Sequence, residues 1–134
     1  MTESFLEQLT RLGVTIRNSK SGLPLIIDFR SANLPQTHPT ELAQLDFSLL
    51  AEFERLKEIY LDGMPITDDQ LSGIARLPRL QTLSLLKTPI SEVGIELLQE
   101  TKSLKLLQLS SESISAEFLA RFRKRMIQTR IVVQ

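Results

Sequence analysis

Few residues in this chain carry polar chemistry that could act on a substrate. His38 is the single histidine. An imidazole can serve as a general base or a metal ligand, but this one stands between Thr37 and Pro39 with no second histidine to join it, and it reads as a solvated loop residue. Asp68 and Asp69 follow Thr67 where a helical pattern begins; carboxylates there favour the positive end of a helix dipole, and need no cation to explain them. Glu52, Glu54 and Glu58 surround Arg55 and Lys57, as local ion pairs at an exposed helix end do. The absence of cysteine excludes disulfides, thiolate nucleophiles and Cys-type zinc sites. The scattered glycines form no phosphate-cradling or dinucleotide-binding loop. The expectation is a non-enzymatic protein with no catalytic residue, no metal site and no cofactor.

The elements that position these residues must be built from 134 amino acids, a length suited to one domain. Sixteen basic and sixteen acidic residues cancel, so no global field points to nucleic acid or a membrane surface. The opening Met1-Thr2-Glu3-Ser4-Phe5-Leu6-Glu7 is acidic where a secretory leader needs a basic region and a long apolar run. No stretch approaches the roughly 20 apolar residues of a membrane span. A soluble, cytoplasmic protein is expected.

Charge is nevertheless segregated. Between Glu41 and Asp69 eight acidic residues face only Arg55 and Lys57, and from Lys102 onward seven basic residues face only Glu112 and Glu117. Arg121, Arg123, Lys124, Arg125 and Arg130 form the most concentrated run. Cations suit a helix C-terminus; the same run is also a candidate contact for an anionic ligand, nucleic acid or the acidic part of a second copy.

The strongest regularity is a period of twenty-four. Leu56, Leu80 and Leu104 share one register, as do Ile59, Leu83, Leu107 and Leu61, Leu85, Leu109. Three more registers follow in each unit: Ile66, Ile90, Ile114; Leu71, Ile95, Leu119; Ile74, Leu98, Phe122. All eighteen positions are aliphatic or Phe, whereas a hydrophobic content of 42% would fill about eight of them by chance. Such self-similarity marks a repeat array.

Inside each unit the spacing changes from two to three or four, which separates strand from helix. Ile59 and Leu61 alternate with Glu58, Tyr60 and Asp62, while Leu71, Ile74 and Leu77 lie on one helical stripe. Thr67, Ser91 and Ser115 precede the helices as N-cap candidates, and Thr67 with Gln70 has capping-box spacing. One strand and one helix per unit make successive strands parallel. Ile131 and Val133 continue the registers as a terminal strand; Ile27, Phe29 and Leu34 stand thirty-two residues before Ile59, Leu61 and Ile66. The eight extra residues are expected within Pro35 to Glu41 and around Asp46 to Ser48, as a loop and a longer helix. About five parallel strands result. Ahead of them, Phe5, Leu6, Leu9 and Leu12 form a helix stopped by Gly13, and Val14 to Arg17 pairs back on Leu25 to Ile27 as an antiparallel hairpin strand. The domain therefore divides into a helix-hairpin cap over 1–24, repeats over 25–127 and a terminal strand over 128–134.

Residues 56–61, 80–85 and 104–109 each read L-x-x-L-x-L. This resembles the leucine-rich repeat family, in the short bacterial form that opens with a helix-hairpin cap. The asparagine common after that run is replaced by Met64, Thr88 and Glu112, so an asparagine ladder is not expected. The resemblance implies an α/β fold, a right-handed horseshoe-shaped solenoid segment, and a protein-protein interaction module or scaffold without catalytic residues.

The alternation also names the residues opposite the core. One row is Ile26, Glu58, Thr82, Leu106 and Arg130; the next is Asp28, Tyr60, Ser84, Gln108 and Val132; the third is Arg30, Asp62, Leu86, Ser110 and Gln134. Tyr60 and Leu86, with Leu106, are the expected apolar contacts for a protein or peptide partner, and Glu58, Asp62, Arg30, Asp28, Ser84, Gln108 and Arg130 the polar ones. Two rival expectations are anionic-ligand or nucleic-acid binding through Arg121, Arg123, Lys124 and Arg125, against which the neutral total argues, and self-association as a weak homodimer through the edge of the last strand.

Overall fold

Alternating apolar residues in six short segments form one sheet in a computed structural model that describes residues 3–134. Met1 and Thr2, part of the acidic opening stretch and of the cap over 1–24, lie outside the described residues. The strands are β1 (Thr15–Asn18), β2 (Pro24–Asp28), β3 (Glu58–Tyr60), β4 (Thr82–Leu85), β5 (Leu106–Leu109) and β6 (Arg130–Val133), in sheet order β1-β2-β3-β4-β5-β6. β1 runs antiparallel to β2 and every later pair is parallel, so the fold is α/β with a mostly parallel sheet.

The twenty-four-residue spacing is the strand register itself. Ile59 pairs with Leu83, Leu83 with Leu107 and Leu107 with Ile131, while Ile27 pairs with Ile59 across the longer first interval. These five side chains form one buried row. A backbone chain crosses the same strands where they begin: the N–H of Lys57, Gln81, Lys105 and Arg130 donates to the carbonyl of Leu25, Lys57, Gln81 and Lys105, at 2.7–2.8 Å.

The helical stripes become α1 (Phe5–Arg11), α2 (Leu34–Thr37), α3 (Pro39–Gln44), α4 (Asp68–Ile74), α5 (Glu92–Glu96) and α6 (Ala116–Arg125). Gly13, at φ +90°, takes the left-handed turn that ends the first of them. Thr67 caps α4 with a complete capping box through Gln70, and the Ser115 hydroxyl accepts from the Phe118 N–H. Ser91 departs from the expected pattern: its hydroxyl makes no cap to α5 and turns to Asp68 of the preceding unit.

The first interval is not a loop and a longer helix. It holds two short helices, α2 and α3, and a 3-10 segment over Phe47–Glu52. Pro39 disfavours the helical region for the residue before it, and His38 breaks the chain at φ −140°, ψ 59°. His38 is half-buried at this junction, with Nδ1 3.0 Å from the Thr37 hydroxyl, rather than a freely solvated loop residue. The segment earns its place through Phe47, whose ring lies 5.5 Å from that of Phe29 in the core.

Of the eighteen apolar register positions all are buried except Ile114 and Leu119, which are half-buried. In the third unit Phe118, in register with Gln70 and Gly94, turns inward and stacks on Phe122 at 5.5 Å, leaving Leu119 beside it partly uncovered. Among the described residues no helix is long and apolar enough to cross a membrane.

Candidate functional site

Because strand side chains alternate, burying the Ile59 row turns the neighbours of each of its members to the other face. Ile26, Glu58, Thr82, Leu106 and Arg130 are register partners across that face, and so are Asp28, Tyr60, Ser84, Gln108 and Val132. The third expected row falls beyond the strands: Arg30 begins a 3-10 turn, Asp62 and Leu86 sit in turns, and Ser110 and Gln134 follow β5 and β6.

Arg30 nevertheless reaches back. Its guanidinium lies 4.0 Å from the centre of the Tyr60 ring, within cation–π range. The same guanidinium makes two hydrogen bonds to Asp28, at 3.0 and 2.8 Å, and the Arg30 backbone N–H a third at 2.9 Å. The Tyr60 hydroxyl donates to Glu58 Oε1 at 2.5 Å. Asp28, Arg30, Tyr60 and Glu58 thus form one connected cluster. Tyr60, expected as an apolar contact of this face, is half-buried, with the arginine over its ring.

The titration behaviour follows from these contacts. Burial, and after it the bond to Glu58, pushes the Tyr60 hydroxyl up to about 12 against the opposing pull of Arg30. Burial alone would raise the Asp28 carboxyl, but the hydrogen bonds and charge of Arg30 outweigh it and hold Asp28 below its ordinary value. The bond to Asp28 raises the Arg30 guanidinium in return.

A second cluster joins β4 to its neighbours. The Asp62 carboxylate accepts from the Ser84 hydroxyl and from the Leu86 N–H at 3.2 Å, and Gln108 Oε1 lies 2.9 Å from the Ser84 oxygen. One hydroxyl hydrogen cannot serve two acceptors. The carboxylate, the stronger acceptor, takes it, and the network closes if the Gln108 amide is turned so that its NH₂ donates to Ser84. Ser84 has no accessible surface. It holds the expected place in the row, but its short side chain is covered, so it supports Asp62 and Gln108 and touches no partner. Leu86, Leu106 and Gln108 are half-buried, while Arg130 stands exposed at the far end.

Arg121, Arg123, Lys124 and Arg125 are all exposed on α6, away from this face. Arg123 donates to the Ile131 carbonyl of β6 at 3.1 Å, and three of the four cations occupy the last helical turn, where the dipole favours them. Among the described residues no group of three or more His, Cys, Asp or Glu side chains could hold a metal ion.

Two further features escaped the sequence reading. A cleft of about 220 Å³ lies between Leu23 and Pro24 at the start of β2 and residues 52–55, and Ile127, ahead of β6, is 83% exposed. The signal for the second was present: Ile127 stands in register with Arg55, Arg79 and Ser103, all polar. No protein-family model matches the chain, and no curated protein matches it in sequence.

Proposed function

We propose that the chain is a leucine-rich repeat protein, a short α/β solenoid that catalyses no reaction and binds a protein or peptide partner on the sheet face opposite its core. The observation that carries this reading is the unbroken register from Asp28 through Tyr60, Ser84 and Gln108 to Val132, which lines up one row of mainly polar side chains across five parallel strands. A parallel sheet is commonly covered on both faces; here one face lies on the core and the other carries ordered polar clusters with half-buried Tyr60, Leu86 and Leu106 among them. Amphipathic aromatic and arginine side chains held in place before binding are the usual anchors of an interface.

Tyr60→Ala with Leu86→Ala is expected to weaken capture of a partner from native lysate while the circular dichroism spectrum is retained. Leu106→Arg, on the same face and outside both clusters, is expected to weaken it as well. Undiminished capture by both variants sinks the reading.

Four exposed cations on α6 support a second reading, contact with an anionic ligand or nucleic acid. It requires retention on heparin that falls steeply with salt. Elution without retention at low salt removes it.

A further inference from the structure

Each repeat turns a corner three residues before its strand. Arg55 precedes β3 by that interval, Arg79 precedes β4, Ser103 precedes β5 and Ile127 precedes β6. The first three are polar, as suits a turn at the surface, and of the four Ile127 alone is apolar, at 83% exposure. Isolated exposed apolar residues are common and need no explanation by themselves. Here, however, the same chain carries a cleft large enough for such a side chain and flanked by the opposite charge. The cleft between the start of β2 and residues 52–55 has apolar walls in Leu23, Pro24 and Phe53, and Leu23 at its lip is 43% exposed. Its volume of about 220 Å³ exceeds that of an isoleucine side chain, roughly 100 Å³ at the packing density of protein interiors. Phe53, the cleft's aromatic wall, is held from behind by stacking on Phe5 at 6.4 Å.

The charges around the two features are opposite. Lys102 and Arg125 line the groove beside Ile127, whereas Glu52 and Glu54 flank the cleft with Arg55 as the only cation. Knob and cleft belong to different surfaces of one chain, so a contact between them is heterologous and joins copies head to tail. We infer that Ile127 of one copy docks in the Leu23/Phe53 cleft of a second copy, with Lys102 and Arg125 facing Glu52 and Glu54. The contact centres on one side chain and is weak, so association is visible only at high concentration and is reduced by salt, which screens the charged rim. It uses neither the sheet face proposed above nor the edge of β6, and stands independently of them.

Sedimentation velocity from micromolar to millimolar protein tests it. The wild-type chain is expected to grow beyond the monomer with concentration. Ile127→Glu, which blocks the knob, and Leu23→Glu, which blocks the cleft, are each expected to lower the association constant at least about tenfold, the loss set by removing one buried aliphatic side chain. The decisive arm is the mixture. Ile127→Glu keeps its cleft and Leu23→Glu keeps its knob, so equimolar mixing restores a 1:1 dimer that grows no further. Ile127→Ser and Leu23→Ser repeat the series should a buried charge perturb folding. A wild-type monomer at millimolar concentration overturns the inference, as does a mixture that fails to dimerise. Association indifferent to salt overturns the pairing of Lys102 and Arg125 with Glu52 and Glu54 across the contact.

Discussion

The Asp68 carboxylate holds Ser91 at two points, accepting from its backbone N–H at 3.0 Å and from its hydroxyl at 2.5 Å. Both residues stand at a helix start, Asp68 as the first residue of α4 and Ser91 just before α5. One unit later the Glu92 carboxylate accepts from the Ser115 N–H at 2.7 Å, so the arrangement recurs in register. Each acid caps the helix of the next unit in place of serving only its own.

That contact makes Gly94 sensitive to replacement. A methyl group there would meet the Asp68 carboxylate and crowd Ile90. The carboxylate must then leave Ser91. Asp68→Ala is expected to cost about 1–2 kcal/mol for the two lost hydrogen bonds, and Gly94→Ala about 1–3 kcal/mol for crowding and the same loss. The double variant should cost clearly less than the two together, because the alanine at 68 vacates the space that the new methyl needs. Urea unfolding of the three variants measures this, and simple additivity would contradict it.

Lys87 occupies the left-handed region at φ 56°, in register with Gly63 at φ 77°. A side chain there costs about 1–2 kcal/mol relative to the right-handed region, and glycine escapes it. Against that stands the greater freedom that glycine gives the unfolded chain, about 0.4–1 kcal/mol. Lys87→Gly is expected to stabilise by about 0.5–1 kcal/mol, seen as a higher urea midpoint at unchanged slope. Gly63→Ala should act in the opposite sense.

Tyr60 is the only tyrosine, so its ionisation can be followed by phenolate absorbance without interference. In the folded chain it titrates near 12, above its ordinary value of 10.0. The folded state therefore holds this proton more tightly than the unfolded state. Its contribution is fully present below the unfolded value and is lost as pH rises from about 10 towards 12. Tyr60→Phe should flatten that part of the stability curve, and a phenolate midpoint at the ordinary value in the native protein would contradict the burial argument.

Arg30→Ala should raise the Asp28 carboxyl, followed by NMR, because burial and the bond from the backbone N–H remain while the arginine's two side-chain hydrogen bonds and its charge are gone. The sign for stability follows. In the wild type Asp28 is held below its ordinary value of 3.8 in the folded state, so its contribution is present above that value and is lost as pH falls through the lower folded one. The variant should lose that acid-side dependence.

Registers were legible in the sequence where the physics is local and repetitive. A strand that buries one face needs an apolar residue at every second position, and identical units place it at identical intervals, so Ile59, Leu83, Leu107 and Ile131 could be aligned from spacing alone. Much of the candidate face followed by alternation. Its covering did not: Arg30 lies over Tyr60 although the two are thirty residues apart, and Ser84 is covered because Asp62 and Gln108, one unit to either side, close over it. The division of the first interval at His38 could have been read from Pro39, since a proline restricts the residue before it.

What the sequence determined by itself was the apolar skeleton: six strands, their order and the register that stacks them. Hydrophobic burial is set by residue type and position in the period, and both are written along the chain. Only the tertiary structure decided how the polar groups are used. A serine hydroxyl such as that of Ser91 can cap its own helix or bond a carboxylate from the unit before, and the choice rests on which acceptor the fold brings within about 3 Å.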